Sequence, residues 1–489
     1  MTSLSKNLLL YKFLAMRCTD ETYPPFDGLY LNYAYGRKIT LSEIKNKWLK
    51  TIAFIKKRQA PSQMGIYIHW PFCVSKCTYC FCNSFVPSRG NELKNYLFLI
   101  IKELEEFSKI FKNISISSVY LGGGTPTFMA DGDFRDLLLF LKERYKITDD
   151  TQIYAEGSPH TLTESKIRIM AECGVNRLTI GAQSLDERVL RKINRVQTKK
   201  EFEKSYSLAR KTGKFKINVD LIAGLEGQSA KSFLKDLDFV IKNRPDMIHV
   251  YSFDPRPHTI FSQKGKIMSD EKKSERDLMC ELAEKILNKK GFLSVKLANF
   301  DLDSSHTEDR QDTHWKKYNA SVLGIGYNAV SHAFASVWYQ HPPIGDKIKR
   351  LDYDSFPPFF GINSNEDEEM RKFAIHRLNE GFTRKEFSDL FKKDISVAKK
   401  IYSRLKDLEK SGKVKISKNY ISSFIESYEE YLVLSKHLYS ENVIKNIMKT
   451  RQKEYEKFLS LENNSDIDEC LKSVLGNTYK SMSFYKFKQ

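Results

Sequence analysis

No apolar run in this 489-residue chain approaches the roughly 18 residues that a membrane-spanning helix requires. The longest runs, such as Leu8–Leu10 and Tyr96–Ile101, fall far short. Leu8–Met16 is interrupted by Lys12 and no small-residue cleavage site follows, so no secretory signal is expected and the chain reads as cytoplasmic. Low-complexity tracts are missing, as is any internal repeat beyond a strand–helix alternation. With 41% hydrophobic and 29% charged residues, disorder over the whole length is excluded. At about 150 residues per domain, the length suggests about three domains.

Acidic residues are too few to balance the basic ones: 80 Lys and Arg minus 61 Asp and Glu leaves +19. Such an excess invites a nucleic acid or an anionic membrane surface. The lysines, however, are interspersed with glutamates, as in Lys102-Glu103-Leu104-Glu105-Glu106, which reads as a solvated surface. Neither nucleic acid nor membrane is expected as a partner, and the chain is expected to be a monomer that acts on a small molecule.

Of the eight cysteines, Cys73, Cys77, Cys80 and Cys82 fall close together, whereas Cys18, Cys173, Cys280 and Cys470 are isolated and read as ordinary thiols. Disulfide scaffolds spread their cysteines along a short secreted chain, so a tight cluster in a chain this long suggests metal in a reducing compartment. Thiolates suit both zinc and iron–sulfur clusters. Structural zinc commonly takes two separated Cys-x-x-Cys pairs, and a second pair is absent. Three thiolates on one loop can instead hold three irons of a [4Fe–4S] cube, leaving the fourth open to a ligand. The residues alone leave both metals standing.

Along the chain, strands are expected at Gly65–Trp70, Ser117–Leu121, Gln152–Glu156, Arg177–Gly181, Lys216–Ile222 and Met247–Phe253. Helices are expected around Asn91–Phe111, Asp133–Tyr145, Ser229–Lys242 and Glu271–Lys289. Alternation of this kind implies right-handed βαβ units in a parallel sheet, with the active site at the strand C-terminal ends. The fold class is thus α/β, a partial (β/α)6 barrel. Beyond it, Met370–Glu380, Arg384–Phe391 and Val397–Ser411 read as helices and Lys413–Ser423 as a hairpin, a winged-helix outline. Residues 1–60 are expected to form an N-terminal segment closing over the site, 61–340 the barrel with a strand extension, 366–425 a winged-helix-like cap, and 426–489 a helical tail without assigned role.

The unusual motifs all follow expected strands. Gly122-Gly123-Gly124-Thr125-Pro126 lacks the Gly-Lys-Ser/Thr ending of a phosphate loop, but its missing Cβ atoms allow a ligand close to the backbone. Glu156, Gln183, Arg195 and Asp220 are expected at later strand ends, where they can bond hydroxyls, an amine or a carboxylate.

The stretch Tyr67-Ile-His69-Trp-Pro71-Phe72-Cys73-x-x-x-Cys77-x-Tyr79-Cys80-x-Cys82-Asn83 resembles the radical S-adenosylmethionine (SAM) superfamily. Within it the chain resembles the oxygen-independent coproporphyrinogen III oxidase family from about Arg17 to Phe424. This resemblance implies a [4Fe–4S] cluster on Cys73, Cys77 and Cys80, with Cys82 a companion and not a ligand. It implies SAM chelated at the open iron and cleaved reductively to a 5′-deoxyadenosyl radical, with an electron donor such as flavodoxin or ferredoxin. It also implies contacts to SAM, as two molecules side by side, from Tyr67, Tyr79, Gly123, Gly124, Thr125, Glu156, Gln183, Arg195, Asp220 and Val330, the last in Leu323-Gly-Ile-Gly-Tyr-Asn-Ala-Val330-Ser331. The C-terminal helical region is expected to cap the barrel and not to read DNA.

Substrate-side segments depart from the family. The N-terminal segment survives only as Arg17-Cys-Thr19-Asp-Glu-Thr-Tyr23-Pro24-Pro25, and Phe253-Asp-Pro-Arg256-Pro-His258 and His314-Trp315-Lys-Lys-Tyr318 lack the oxidase wording. Arg256, His258 and His314 are candidates for an acidic substrate. The expected reaction is oxidative decarboxylation of coproporphyrinogen III or a similar tetrapyrrole. Alternatives are a class C radical SAM methyltransferase or cyclopropanase, and a haem-chaperone-like haem-binding protein, against which Cys82 counts.

Overall fold

The computed structural model describes residues 36–58, 64–88, 91–256, 259–296, 299–302, 321–342, 359–378, 381–425, 431 and 434–444. The expectations for Arg17–Pro25, His258, His314–Tyr318 and most of 426–489 lie outside the described residues.

Strand β1 (Arg37–Ile39) and helix α1 (Leu41–Arg58) precede the barrel. Six βα units then follow. They are β2 (Met64–Trp70) with α2 (Glu92–Phe111), β3 (Ser118–Gly123) with α3 (Asp131–Arg144), and β4 (Gln152–Gly157) with α4 (Glu164–Glu172). Next come β5 (Arg177–Gln183) with α5 (Glu187–Lys192) and α6 (Lys199–Thr212), and β6 (Lys216–Ala223) with α7 (Ala230–Lys242). The sixth is β7 (Met247–Ser252) with α8 (Ile260–Gln263) and α9 (Asp270–Lys289). All six expected strands are present, and they pair in sequence order as parallel neighbours.

Side chains alternate across a strand with period two, and here the two faces differ in chemistry. In β4, Ile153 and Ala155 are buried while Gln152, Tyr154 and Glu156 are half-buried. The outer face, with Ile66, Val119, Leu178, Val219 and Ile248, packs under Leu104 and Phe107 of α2, Leu138 of α3 and Leu237 of α7. The inner face carries tyrosines, carboxylates and amides. A barrel lumen lined this way is a site and not a packed core.

The remaining strands are β8 (Leu293–Lys296), β9 (Asn299–Asp301), β10 (Ser321–Ile325), β11 (Val330–Ala333), β12 (Val337–Gln340) and β13 (Phe359–Asn363). They extend both edges into a 13-stranded sheet of order β1-β13-β12-β11-β10-β2-β3-β4-β5-β6-β7-β9-β8. β10 runs parallel to β2 and so adds a seventh parallel strand to the expected six. Its buried, glycine-containing Ser-Val-Leu-Gly-Ile has no period-two polarity to mark it as part of the barrel.

Helix α10 (Glu366–Arg377), β14 (Phe382–Thr383), α11 (Arg384–Phe391), α12 (Lys399–Lys410), β15 (Val414–Ile416) and β16 (Tyr420–Ser423) form the C-terminal helical part. α10 begins earlier than expected because the Asn365 side chain accepts from the Glu368 amide and caps it. α12 also starts later, since Ile395–Val397 forms a separate 3-10 turn capped by Asp394. Phe373 stands edge-on to Phe382, Phe387 and Phe391, at 5.2, 5.6 and 5.9 Å, at the centre of this core. The two parts are joined through His332 of β11, whose Nε2 lies 3.0 Å from both carboxylate oxygens of the buried Glu369.

Candidate functional site

The cysteine loop leaves β2 and is pinned at both ends. The Cys73 amide donates to Phe85 O at 2.9 Å and the Phe85 amide to Pro71 O at 2.7 Å. Its middle is held by two later loops: the Thr78 amide donates to Ile193 O at 2.9 Å, and Thr78 O accepts from the Phe261 amide at 2.9 Å. Tyr79 packs against the small apolar cluster of Val189, Ile193, Ile222 and Phe261 beneath.

Each of the three cysteines in the Cys-x-x-x-Cys-x-x-Cys spacing meets a polar group. Thr125 Oγ1 donates to Cys73 Sγ at 3.4 Å, and Arg195 donates to Cys77 Sγ at 3.7 Å and to Tyr79 Oη at 3.2 Å. Ser84 Oγ lies 3.9 Å from Cys80 Sγ. A hydrogen bond from Cys82 draws the Cys80 thiol down to about 5 against the effect of burial, with Lys76 adding to the fall. The same hydrogen bond pushes Cys82 up, so Cys80 is the thiolate of the pair and Cys82 its donor. Burial raises Cys73. Among the described residues no three His, Cys, Asp or Glu groups converge as a single ion requires. An iron–sulfur cube takes each thiolate at a different corner, and donors aimed at sulfur suit its negative charge. The residues present fit such a cluster.

The glycine run overlaps the end of β3. Gly123 lies at φ +108°, and a Cβ there would stand 2.7 Å from the His69 ring. A Cβ on Gly124 would stand 2.7 Å from Phe72 O, where the Gly124 amide donates to Trp70 O at 2.6 Å. These glycines let the turn lie directly on the cysteine loop, which sets Thr125 against Cys73.

Below the loop, Tyr67 Oη donates to His69 Nδ1 at 2.9 Å, and His69 Nε2 donates to Asn83 O at 3.3 Å. Burial lowers His69 to about 4, so it is neutral, and the carbonyl at Nε2 fixes its tautomer. Glu156 accepts from Tyr120 Oη at 2.5 Å and from the Gly123 amide, yet burial raises it to about 7. Gln183 ends β5 in a left-handed conformation, φ +65°, with a buried Oε1 that has no hydrogen-bond partner among the described residues. Such an acceptor, held in a strained backbone at a strand end, is suited to a ligand donor. Asp220 Oδ1 accepts from Asn218 Nδ2 at 2.7 Å and lies 3.1 Å from His249 Nδ1.

Tyr67, Tyr79, Gly123, Gly124, Thr125, Glu156, Gln183, Arg195 and Asp220 thus gather around the loop and lumen of β2–β6. One placement differs from expectation. Arg195 is not at a strand end: it follows α5 and reaches back to Gly181 O, the sulfur of Cys77 and Tyr79. Val330 opens β11, beside the seventh parallel strand. Arg256 lies over the Phe81 ring, 4.7 Å from its centroid, beside Asp254.

Sequence reading missed the rest of the inner wall. Tyr120, Tyr154, Arg177 and Lys216 stand in one cross-strand row with the expected Tyr67, and His249 pairs with the expected Asp220 in a higher one. Polar residues at alternate positions of successive strands are the signal that finds them. Glu103 is a correction: in a run read as solvated surface, its side chain is fully buried, and Oε2 accepts from the Gly326 amide at 2.9 Å. It lies on the apolar face of α2, one residue before Leu104.

Comparison with known proteins places this architecture. The family model described as the radical SAM superfamily matches residues 67–240. The oxygen-independent coproporphyrinogen III oxidase of Pseudomonas aeruginosa is 27% identical over 335 residues, 66% of this chain and 73% of the relative. The heme chaperone HemW of Bacillus subtilis is 26% identical over 355 residues, 71% of this chain and 91% of the relative. HemW of Buchnera aphidicola (subspecies Schizaphis graminum) is 30% identical over 237 residues, and the chain spans 62% of its length. In fold, the chain is similar to the solved coproporphyrinogen III oxidase of Escherichia coli, with TM-score 0.64 and 22% identity, covering 80% of this chain and 92% of that one. Among the described residues no helix is long and apolar enough to cross a membrane. The superfamily implies a [4Fe–4S] cluster and SAM, and the loop of three donor-facing thiols at the head of the parallel barrel lies within residues 67–240, the part of the chain that matches the radical SAM superfamily, while the chain as a whole is similar to the oxygen-independent coproporphyrinogen III oxidases and the heme chaperones.

Proposed function

We propose that the chain is a radical SAM oxidoreductase that decarboxylates propionate side chains of coproporphyrinogen III or a similar tetrapyrrole. Cys73, Cys77 and Cys80 hold the cluster, and Cys82 supports Cys80 as hydrogen-bond donor. When bound, the cluster and SAM together supply a 5′-deoxyadenosyl radical able to abstract a hydrogen atom. Thr125 and Arg195 orient the sulfurs of Cys73 and Cys77. Gly123, Gly124 and Thr125 offer backbone to the methionine end of SAM. Tyr67, Tyr79, Glu156, Gln183, Arg195, Asp220 and Val330 offer polar or backbone contacts to one or two SAM molecules. Residues 61–340 act as the catalytic barrel and 366–425 as its cap. The electron that cleaves SAM comes from a flavodoxin- or ferredoxin-like carrier, the electron left on the substrate after hydrogen abstraction departs to an external one-electron acceptor as carbon dioxide is lost, and the setting is cytoplasmic.

The observation that carries this reading over haem carriage is the fourth cysteine of the loop, Cys82, two residues beyond Cys80 in the Cys-x-Cys ending that the oxidase branch shares. The haem-carrier reading is favoured in turn by the chaperones' comparable identity. An anaerobic assay with reconstituted protein, SAM, dithionite and coproporphyrinogen III separates them. Formation of 5′-deoxyadenosine with carbon dioxide is expected. Absence of 5′-deoxyadenosine overturns the enzyme reading, S-adenosylhomocysteine in place of carbon dioxide indicates methyl transfer, and haem binding without turnover indicates a carrier.

A further inference from the structure

Between the first two cysteines of the loop, Lys76 does two things at once. Its ammonium crosses to the far limb and donates to Cys82 O at 2.7 Å, Ser84 O at 3.1 Å and Ser84 Oγ at 2.9 Å. Its own carbonyl is gripped from another element: Asn194 Nδ2 donates to Lys76 O at 2.9 Å, and Asn194 O accepts from Ser75 Oγ at 3.0 Å. Asn194 can do both because it follows α5 in a left-handed conformation, φ +55°, which asparagine tolerates better than most side chains.

The three partners that the ammonium has among the described residues are neutral oxygens, so these bonds hold its charge without cancelling it. One of them, Ser84 Oγ, is itself 3.9 Å from Cys80 Sγ. The positive charge is therefore fixed next to the sulfurs. It is partly withdrawn from solvent, where screening is weaker than at an open surface. Iron–sulfur potentials respond to net charge and to hydrogen bonds near the sulfurs.

We propose that Lys76 is a tuning residue: held in register by Asn194, its ammonium favours the one-electron-reduced state of the cluster carried by this loop. The inference rests on the radical SAM reading above. The cluster gains the electron, from dithionite in the test and from a reduced flavin or iron–sulfur carrier in the cell, and Lys76 itself undergoes no chemistry.

The test is an anaerobic redox titration of the reconstituted full chain, followed by electron paramagnetic resonance of the reduced cluster without SAM. Lys76→Gln keeps an amide donor and removes the charge, Lys76→Met removes both, and Lys76→Arg keeps the charge. Midpoint potentials more negative than wild type are expected for Lys76→Gln and Lys76→Met, with Lys76→Arg near wild type. A role in loop structure alone would spare Lys76→Gln, so a wild-type potential in that variant overturns the proposal. So does an equal shift in Lys76→Arg. Should Lys76→Gln fail to hold a cluster, Asn194→Gly keeps the left-handed turn while releasing the Lys76 carbonyl. A negative shift there supports the proposal and an unchanged potential overturns it. A wild-type chain that reconstitutes no cluster would overturn the radical SAM reading itself, an outcome distinct from an unmoved potential.

Discussion

Glu103 and His341, 238 residues apart, meet through Glu103 Oε1 and His341 Nε2 at 2.5 Å, both buried. The other carboxylate oxygen accepts from the Gly326 amide, and the other imidazole nitrogen lies 3.1 Å from Ala329 O. One pair therefore fixes both sides of the glycine-rich turn that leads into Val330. Removing one partner of a buried pair leaves the other uncompensated and costs about 3–5 kcal/mol. His341→Leu should lower the urea midpoint accordingly with an unchanged denaturant slope. It should also weaken SAM binding if Val330 contacts SAM. A midpoint within experimental error of wild type would refute this account of the turn.

Glu156 sets a pH dependence. Its carboxyl titrates near 7 in the folded protein against an ordinary value of 4.5. The folded state thus binds a proton more tightly than the unfolded state. Stability contributed by the protonated group is fully present below about pH 4.5 and is lost as pH rises through 7. The loss in the protein without SAM amounts to roughly 3 kcal/mol. Glu156→Gln should flatten that part of the stability profile and be the more stable protein at pH 8. Parallel profiles for the two proteins in chemical denaturation would count against the raised value.

The cysteines of the loop should divide by role. Cys73→Ala, Cys77→Ala and Cys80→Ala are each expected to abolish the brown cluster absorbance and the bound iron of reconstituted protein. Cys82→Ser keeps a donor beside Cys80 and should retain both. An unchanged spectrum in Cys77→Ala would refute the ligand assignment, and loss of iron in Cys82→Ser would make Cys82 more than a companion.

What could be read from the sequence was local. The cysteine spacing and glycine run lie within a few residues of one another, and the six strands announced themselves by apolar residues between turns. The lumen wall was harder, because Tyr120, Tyr154, Asn218 and His249 are polar or aromatic residues at alternate positions, which also describes a strand facing water. Only pairing the strands puts them together. Glu103 was misread for a related reason: its neighbours Glu105 and Glu106 are partly exposed, and its burial depends on His341, far along the chain. The seventh strand, β10, gave no alternation because both its faces are covered.

Two glycines separate the cost of backbone conformation from the cost of space. Gly213 and Gly326 both have positive φ, +63° and +89°, so alanine is strained at either. Around Gly213 a Cβ would meet nothing within 4 Å among the described residues, whereas at Gly326 it would stand 2.5 Å from Tyr96 Oη. That hydroxyl accepts from the Tyr327 amide and donates to His69 O, both at 3.0 Å, and so ties the turn before Val330 to the strand that carries the cysteine loop. Gly213→Ala should cost about 1–2 kcal/mol, the strain of the left-handed region alone. Gly326→Ala must also push the tyrosine off two buried backbone groups, each costing about 1–3 kcal/mol when left unpaired. It should therefore be the more destabilised by at least 1 kcal/mol on that scale, and the more prone to lose cluster on reconstitution. Equal melting temperatures for the two variants would show that Tyr96 yields without cost, and that the hydroxyl does not hold the two segments together.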